Sequence, residues 1–555
     1  MNIVSKFLIL MALITLAACN PRGTSAADPH VNASYIAAGS TIEFVRHGTW
    51  FEVAYAEWLA PAGVNAFMVT VNGQPLDAFQ GGVVHPDSNG AGEGTTHSAF
   101  LVRQIDSNSR LWRVDVPALG RDGATYTLTI AGGGFSGTIN NLVSVPFDRQ
   151  GYAFADGFIT SGGYTDEGLV GNATVFYVTQ ANMNYTLTGS GNTGRFPESG
   201  GTSAITGPTI FRFMGQVGVF NGDIFDRSTI PAATRENTNL NTTGNTSSNK
   251  MLFMRSARNV TFEGIGTNAK IEGWGIHIQG ANNETANTVP ANIVIRNITF
   301  SWPHDSAVNV HGGITNSGLP DRGLSHVWVH HNTFHHGQNT TAINGGSNYL
   351  KGDGSTDITN RARNVTVAYN AYIQTGKTIL IGNNIPDTVG GVTVHHNWFQ
   401  NSDSRHPRVR NGSVHVFNNI YDNITIYSIG AGHHSNIVAE GNIFRGGRRP
   451  FIIAGQGNDN GTLSGNLSGA DEPGAIITSD VPNASHWAGR GLVPNAFNAI
   501  REYDPNTDIG ANNASPRGRH IFVQYDITVS LSSAVGVQSP AAAVVRTQAF
   551  AGVMQ

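Results

Sequence analysis

Acidic and basic side chains alternate within one short stretch of the 555-residue chain. Asp353 and Asp357 are four positions apart, Lys377 follows them, and Arg405 and Arg410 complete the set. Paired carboxylates suit a hard cation such as Ca²⁺, which takes oxygen ligands. Lysine and arginine suit the carboxylates of an anionic substrate. The stretch therefore predicts a metal-assisted site for an acidic polymer.

A repeating strand pattern must position these residues. Six segments combine a β-branched run with a following aromatic residue: 293–300, 327–334, 365–372, 392–399, 414–421 and 437–444. Their aromatic residues are 34, 38, 27, 22 and 23 positions apart, and periods in this range are typical of stacked architectures. Because the period varies, the pattern favours a parallel β-helix with loops of different length.

An asparagine lies two positions before five of the six aromatic residues: Asn332, Asn370, Asn397, Asn419 and Asn442. Side-chain amides at equal positions of stacked coils can donate to and accept from one another. We predict a structural amide ladder rather than a catalytic role.

Three charged residues follow the aromatic residue of their coil by five or six positions: Asp305, Lys377 and Arg405. They should therefore share one face of the stack. Coils are about 4.8 Å apart, so we expect Lys377 and Arg405 to be near neighbours. Asp305 should lie about three coils from Arg405.

Ordered motifs between residues 170 and 550 carry a family resemblance. They include Trp328 in Val-Trp-Val-His-His-Asn, the Asp-Gly-x-x-Asp pair, Lys377-x-x-Leu-Ile-Gly and Arg405-x-Pro-Arg-x-Arg. These motifs resemble the pectate lyases of polysaccharide lyase family 1. The resemblance implies an all-β fold, a right-handed parallel β-helix, with Ca²⁺ dependence. It also implies cleavage of polygalacturonate, or of low-methylated pectin, by β-elimination.

The resemblance assigns roles residue by residue. It implies three Ca²⁺ ligands, Asp305, Asp353 and Asp357. It implies two substrate-binding cations, Lys377 and Arg410, and one proton-abstracting arginine, Arg405. In one departure, His330 stands where the family usually has an aspartate, and we interpret this as a change beside the substrate groove.

The predicted base presents a chemical difficulty, because a guanidinium is ordinarily always protonated. Arg405 would have to lose a proton before it could take one from the substrate. We therefore expect an alkaline optimum. The alternative is that Arg405 stabilises charge while hydroxide or water acts as the base.

Other functions stay open at this point. A lyase for another polyuronate, such as alginate, would need similar chemistry, and a non-catalytic β-helix could bind polysaccharide. The histidine pairs 330/331, 335/336, 395/396 and 433/434 raise the possibility of zinc. Because no cysteine or His-x-x-x-His spacing accompanies them, we interpret them as strand-end or groove residues.

The N-terminus predicts export. Residues 1–19 contain Lys6 and an apolar run, and they end in Leu-Ala-Ala-Cys, which resembles a bacterial lipobox. Cys19 is the only cysteine, so we predict a lipid anchor to the outer membrane or cell surface; the alternative is plain secretion. A polar tether, 20–32, and a β-sandwich accessory domain, 33–145, are predicted before the β-helix, 146–555.

Composition agrees with an extracellular β-rich enzyme. Only 13% of residues are charged, whereas 68 are glycine, and this balance favours turns and polar coils over helices. The formal net charge is −4, so no global positive field attracts a polyanion. We therefore predict local basic groups, no nucleic-acid partner and a monomer.

Overall fold

The computed structural model describes a discontinuous set of residues: 42–85, 96–188, 205, 207–218, 251–255, 257–280, 291–301, 303, 306–312, 325–335, 354–383, 389–433, 435–447, 449–453, 475–478, 500–501 and 546–554. The predicted signal peptide with Cys19 and the tether lie outside these residues. Two predicted metal ligands, Asp305 and Asp353, lie outside them as well.

The N-terminal part contains two four-stranded antiparallel sheets and two short helices. The first sheet contains Glu43–Trp50, Val53–Leu59, Leu111–Val116 and Val102–Asp106. The second contains Gln74–Pro75, Met68–Val71, Thr125–Gly132 and Phe135–Val143. The helices are Leu76–Gln80 and His97–Leu101. Alternate side chains of Thr125–Gly132 are buried, as expected for a strand with one face on a core.

The core of this part continues into the rest of the chain. Trp58 of the first sheet and Leu128 of the second belong to one apolar cluster, which also contains Tyr177 and Ile210. The strand Val83–Val84 pairs in parallel with Thr174–Val178. The apolar core of the N-terminal part is thus shared with residues that follow it. The division into a separate β-sandwich domain at residues 33–145 stays a prediction.

Three parallel sheets stack into a β-helix beyond this part, which confirms the predicted fold. Sheet 1 contains eight strands in chain order: Met251–Arg255, Gly275–Gln279, Val308–His311, Gly354–Thr359, Lys377–Ile381, Arg408–Val409, Ile429–Ala431 and Phe451–Ile453. Each strand pairs in parallel with the corresponding strands of the adjacent coils, as Gly354–Thr359 does with Val308–His311 and Lys377–Ile381.

Sheets 2 and 3 form the other two faces. Sheet 2 contains Val83–Val84, Thr174–Val178, Thr209–Val217, Arg258–Glu272, Ala291–Arg296, Ser325–His330, Arg363–Ala368, Val389–His395, Gly412–Phe417, Asn436–Glu440, Ala475–Thr478 and Ile500–Arg501. Sheet 3 contains Thr299–Ser301, Thr333–His335, Ala371–Ile373, Trp398–Gln400, Ile420–Ile424 and Ile443–Gly447. The long strand Arg258–Glu272 pairs with members of both sheets. One further helix is Met183–Thr188.

Each predicted strand segment bends at a residue with positive φ three positions before its aromatic residue, so it supplies one strand to sheet 2 and one to sheet 3. The five asparagines form the predicted ladder, in which each side-chain amide donates to the next side-chain oxygen at 3.0–3.1 Å. Beside the ladder, the aromatic residues at 300, 334, 372, 399, 421 and 444 stack inside the coil with centroids 4.7–5.2 Å apart. Amide and ring stacking therefore fix the register of the coils.

We expect Asn397→Ala to lower the free energy of unfolding by at least about 3 kcal/mol, because buried hydrogen-bonding groups on both adjacent coils lose a partner. Asn397 donates to Asn419 and to two backbone carbonyls, and it accepts from Asn370. Urea unfolding of both proteins measures the difference. The control Asn65→Ala changes an exposed loop residue and should cost less than about 0.5 kcal/mol.

Two segments lie across the outside of the coils. Tyr152 and Ala153 donate their backbone N–H groups to Thr393 and Thr366 of sheet 2, each at 3.0 Å. Residues 546–554 begin with a helix turn and run along the corner between sheets 2 and 3. Within them, the Gly552 N–H donates to the Tyr369 carbonyl at 2.9 Å. Both segments tie successive coils together from the outside.

No helix within the described residues is long and apolar enough to cross a membrane.

Candidate active site

The outward face of sheet 1 carries a row of directly paired residues. Alternate residues such as Ile276 and Ile358 point into the core, so their neighbours face outward. The row runs through successive coils in the order His277, Asn309, Asp357, Leu380, Arg408. The acidic residue Asp357, here called the acidic centre, and the basic residue Arg408 thus lie two coils apart in this row.

The Asp357 carboxylate is the acidic centre of this face. The side chain is buried, and Ser306 Oγ donates to its Oδ2 at 2.7 Å. The carboxylate lies over Gly354, where a Cβ would collide with both of its oxygens. The glycine of the Asp-Gly-x-x-Asp motif is therefore required by close approach.

The neighbouring oxygen atoms test whether Ca²⁺ fits here. Asn309 pairs directly with Asp357, and its buried Oδ1 has no hydrogen-bond partner among the described residues. Carboxylate and amide oxygens are the ligands that Ca²⁺ takes. An unsatisfied buried oxygen beside a carboxylate suits a cation better than a purely structural role. The donor set therefore fits Ca²⁺.

Lys377 lies between the acidic centre and Arg405. It pairs with Gly354 on one side and with Ser404 on the other. Since Arg405 directly follows Ser404, Lys377 and Arg405 lie close together, as predicted. The Lys377 side chain is half-buried.

Arg405 is held in a left-handed backbone conformation, with φ of 65°. Its carbonyl accepts from the Ile379 N–H at 2.6 Å, which ties it to the Lys377 coil. The side chain is 5% exposed, and Nε has no hydrogen-bond partner within the described part of the chain. A buried guanidinium with spare donors is ready to receive an anionic ligand.

Three arginines surround a buried tyrosine next to this loop. Burial raises the pKa of Tyr427, and the charges of Arg405, Arg408 and Arg410 partly offset that rise. Arg410 also donates to the Asn383 carbonyl at 3.3 Å and is half-buried. The tyrosine hydroxyl thus lies within electrostatic range of all three guanidinium groups.

His406 supports the same loop from inside the coil. It is fully buried, and burial lowers its pKa to about 3. Its Nδ1 lies 3.1 Å from the Tyr427 carbonyl, and its own carbonyl accepts from Tyr421 at 3.0 Å. The imidazole therefore stays neutral and anchors the residue next to Arg405.

The interpretation of His330 as a groove residue is wrong. His330 ends a strand of sheet 2, whereas the acidic and basic row lies on sheet 1. Its ring is fully buried, stacked on Trp328 at 3.5 Å and packed on Phe147 at 4.8 Å. Burial holds the pKa of His330 well below its usual value. The N-terminal part covers this position, and nothing in the local sequence indicated that.

A family comparison covers the part of the chain that carries this face. The family model described as pectate lyase matches residues 233–470, which include every predicted site residue. Over residues 233–470, the chain is therefore similar to pectate lyases.

Curated relatives match a segment of similar length. A pectate lyase from Bacillus subtilis is 33% identical over 207 residues, which are 33% of this chain and 47% of the relative. A pectate trisaccharide-lyase from Bacillus licheniformis is 32% identical over 213 residues, 38% of this chain and 55% of the relative. The chain spans about half the length of the curated relatives it matches.

Solved structures share a lower sequence identity with this chain than the curated relatives do. A Bacillus sp. N165 pectate lyase in complex with trigalacturonate has 20% sequence identity and a TM-score of 0.42, over 73% of this chain and 98% of that chain.

Sequence motifs missed several residues of the family domain that shape the site. Ser306 directly follows the predicted ligand Asp305, and that position was the available signal. His406 likewise directly follows Arg405. Asn309 and Tyr427 carry no sequence signal, because only the coil register brings them to the predicted residues.

We expect Ser306→Ala to weaken Ca²⁺ binding about tenfold, because loss of a group that orients a metal ligand has effects of that size. Isothermal titration calorimetry with Ca²⁺ measures the change directly. Ser144→Ala is a matched control, since Ser144 Oγ makes a buried hydrogen bond to Gly120 at 2.6 Å in the N-terminal part. Equal Ca²⁺ affinity in the two variants would contradict the role of Ser306.

Proposed function

We propose that this protein is a Ca²⁺-dependent pectate lyase that cleaves α-1,4-linked polygalacturonate, releasing 4,5-unsaturated oligogalacturonates. The observation that carries the proposal is that adjacent coils of sheet 1 bring the backbone positions of Asp357, Lys377 and Arg405 close together. These coils lie within the segment that matches the pectate lyase family model. Low-methylated pectin is a further substrate by the same chemistry.

The chemistry begins with a weakly acidic hydrogen. The C5 hydrogen of a uronate is α to a carboxylate, so its removal places more negative charge beside an existing charge. Lys377 and Arg410 bind that carboxylate and stabilise the developing enolate by charge-assisted hydrogen bonds. Ca²⁺ held by Asp305, Asp353 and Asp357, with Asn309 as a further oxygen donor, supplies additional neutralisation of the substrate carboxylate.

Arg405 takes the proton in the proposed reaction. After a neutral Arg405 has accepted the C5 proton, the C4–O bond to the next sugar breaks and a C4=C5 double bond forms. The leaving oxygen takes a proton from solvent. Arg405 Nε has no hydrogen-bond partner among the described residues, which argues against a purely structural role for this side chain.

The test is ultraviolet absorbance of the conjugated product during incubation with polygalacturonate, with and without chelator. We expect absorbance to rise in Ca²⁺ and to stop in excess chelator. A parallel assay with alginate distinguishes a pectate lyase from the main alternative, a lyase for another polyuronate. Binding of polygalacturonate without any unsaturated product would instead favour a non-catalytic polysaccharide-binding β-helix.

We also propose that Cys19 anchors the exported chain to the bacterial outer membrane or cell surface. The lipobox-like sequence and the single cysteine support this. Cys19→Ala should move the protein from the membrane fraction to a soluble fraction after cell fractionation. Unchanged membrane partitioning would contradict lipidation at this position.

A further inference from the structure

A second group of candidate metal ligands lies far from the proposed active face. Asp148, His395 and His396 each place a ligand atom within 4.8 Å of the other two. All three side chains are buried. His395 ends a strand of sheet 2, whereas Asp148 belongs to the segment that crosses the outside of that sheet. Among the described residues, no other group of three such ligands is this close.

A metal ion could take the place of the proton that lies between the two imidazole rings. Nδ1 of His395 and Nδ1 of His396 are 2.9 Å apart, so at present one ring must donate to the other. Two nitrogen ligands of one tetrahedral zinc ion are separated by about 3.3 Å, given Zn–N bonds of about 2.05 Å. Small ring movements would therefore accommodate an ion between them.

The His395 ring offers a second nitrogen besides the one that faces His396. Nε2 of His395 makes no hydrogen bond of normal geometry within the described residues, and the Gln150 backbone is its nearest polar neighbour on that side.

Outer groups hold the carboxylate in place. The Tyr369 hydroxyl donates to Asp148 Oδ2 at 2.7 Å and accepts from Arg546 Nε at 2.6 Å. Gln150 Nε2 donates to Asp148 Oδ1 at 2.6 Å. Groups that orient a ligand in this way are a regular feature of metal sites. The Arg546 charge opposes any cation, so the site needs an ion that binds imidazole strongly.

A second histidine pair provides an internal comparison. His330 and His331 occupy the equivalent positions two coils away, with Nδ1 atoms 2.8 Å apart. Within the described residues they have no third ligand at comparable distance. Paired histidines alone are therefore a recurrent structural feature of this corner, and the carboxylate is what distinguishes His395 and His396.

We propose that Asp148, His395 and His396 bind a divalent transition metal ion, with Zn²⁺ as the best fit, that fastens the N-terminal segment to the β-helix. Two nitrogens and one carboxylate oxygen favour such an ion over Ca²⁺, which takes oxygen ligands. Because the site is closed, the ion enters during folding, and its binding energy adds to the stability of the fold. The histidine pair 395/396 then has the zinc role that the sequence alone did not support.

The test is metal content of the full chain, produced without a histidine tag in medium containing Zn²⁺ or Co²⁺ and washed with a Ca²⁺-selective chelator. Elemental analysis should find about one equivalent of Zn²⁺ or Co²⁺. The Co²⁺ form should show visible absorption from nitrogen and oxygen ligands. Asp148→Asn and His395→Gln should each lower bound metal at least tenfold, whereas the control His330→Gln should leave it unchanged.

Tyr369→Phe keeps all three ligands and tests the site if the other variants do not fold. It should weaken metal affinity about 10- to 100-fold, the usual effect of losing an orienting group. Less than a tenth of an equivalent in the wild-type protein would overturn the proposal. Equal metal in the wild-type protein and Asp148→Asn would also overturn it, by showing adventitious binding elsewhere. These measurements do not depend on lyase activity.

Discussion

Replacing Arg405 by lysine should lower kcat on polygalacturonate by roughly 100- to 10,000-fold, the range that general acid–base catalysis contributes. The planar guanidinium at this position is fixed by a left-handed backbone and by the bond from Ile379 to its carbonyl. A lysine ammonium has a shorter reach and tetrahedral geometry, so it cannot occupy the same place relative to C5. Substrate should still bind, because Lys377 and Arg410 remain. The loss should thus appear in kcat more than in KM.

Arg408→Lys is the matched control for this result. Arg408 lies on the same face, three positions away, and is buried beside Leu380 and Gly430. We expect its replacement to lower kcat far less than Arg405→Lys does. If Arg405→Lys kept most of its kcat, or if Arg408→Lys were the more damaging change, the assignment of the base would be wrong.

Asp357→Asn should lower activity more than 100-fold at low Ca²⁺ and recover part of it in excess Ca²⁺. The substitution keeps the shape that fits over Gly354 but removes the charge that attracts a cation. Folding should be retained, since the hydrogen bond from Ser306 has an oxygen to accept it in either side chain. Initial rates across a Ca²⁺ titration, with calorimetric Ca²⁺ binding, measure both effects.

Asp422→Asn is the control for removal of a carboxylate. Asp422 lies on sheet 3 and pairs with Arg445, so its loss should leave the Ca²⁺ dependence unchanged. Should Asp357→Asn bind Ca²⁺ as tightly as the wild-type protein, the metal must be held elsewhere, and the proposed function would lose its acidic centre.

Repeats made much of the fold predictable. The β-branched runs and aromatic residues recur in six successive coils and the asparagines in five of them, so their register follows from sequence spacing alone. The same register correctly placed Lys377 next to Arg405. It also predicted the amide ladder from Asn332 to Asn442.

Long-range packing was not predictable in the same way. The sequence placed His330 beside the groove because of its position in the Trp328 motif. In the structure Phe147, almost two hundred positions earlier, covers it. Asp148 reaches His395 across a similar separation. No local pattern encodes such contacts, because they depend on where a non-repeating segment packs against the repeats.

The two-residue strand Val83–Val84 has a consequence for solubility. It pairs with Thr174 and Val175 at the edge of sheet 2, and the His85 ring stacks on Phe176 at 4.4 Å. Without this cover, the uncharged strand Thr174–Val178 would present open backbone groups to other molecules. Exposed apolar edge strands of this kind promote end-to-end polymerisation and fibre growth. By pairing with this strand, the N-terminal part should hinder strand pairing between the ends of two β-helices.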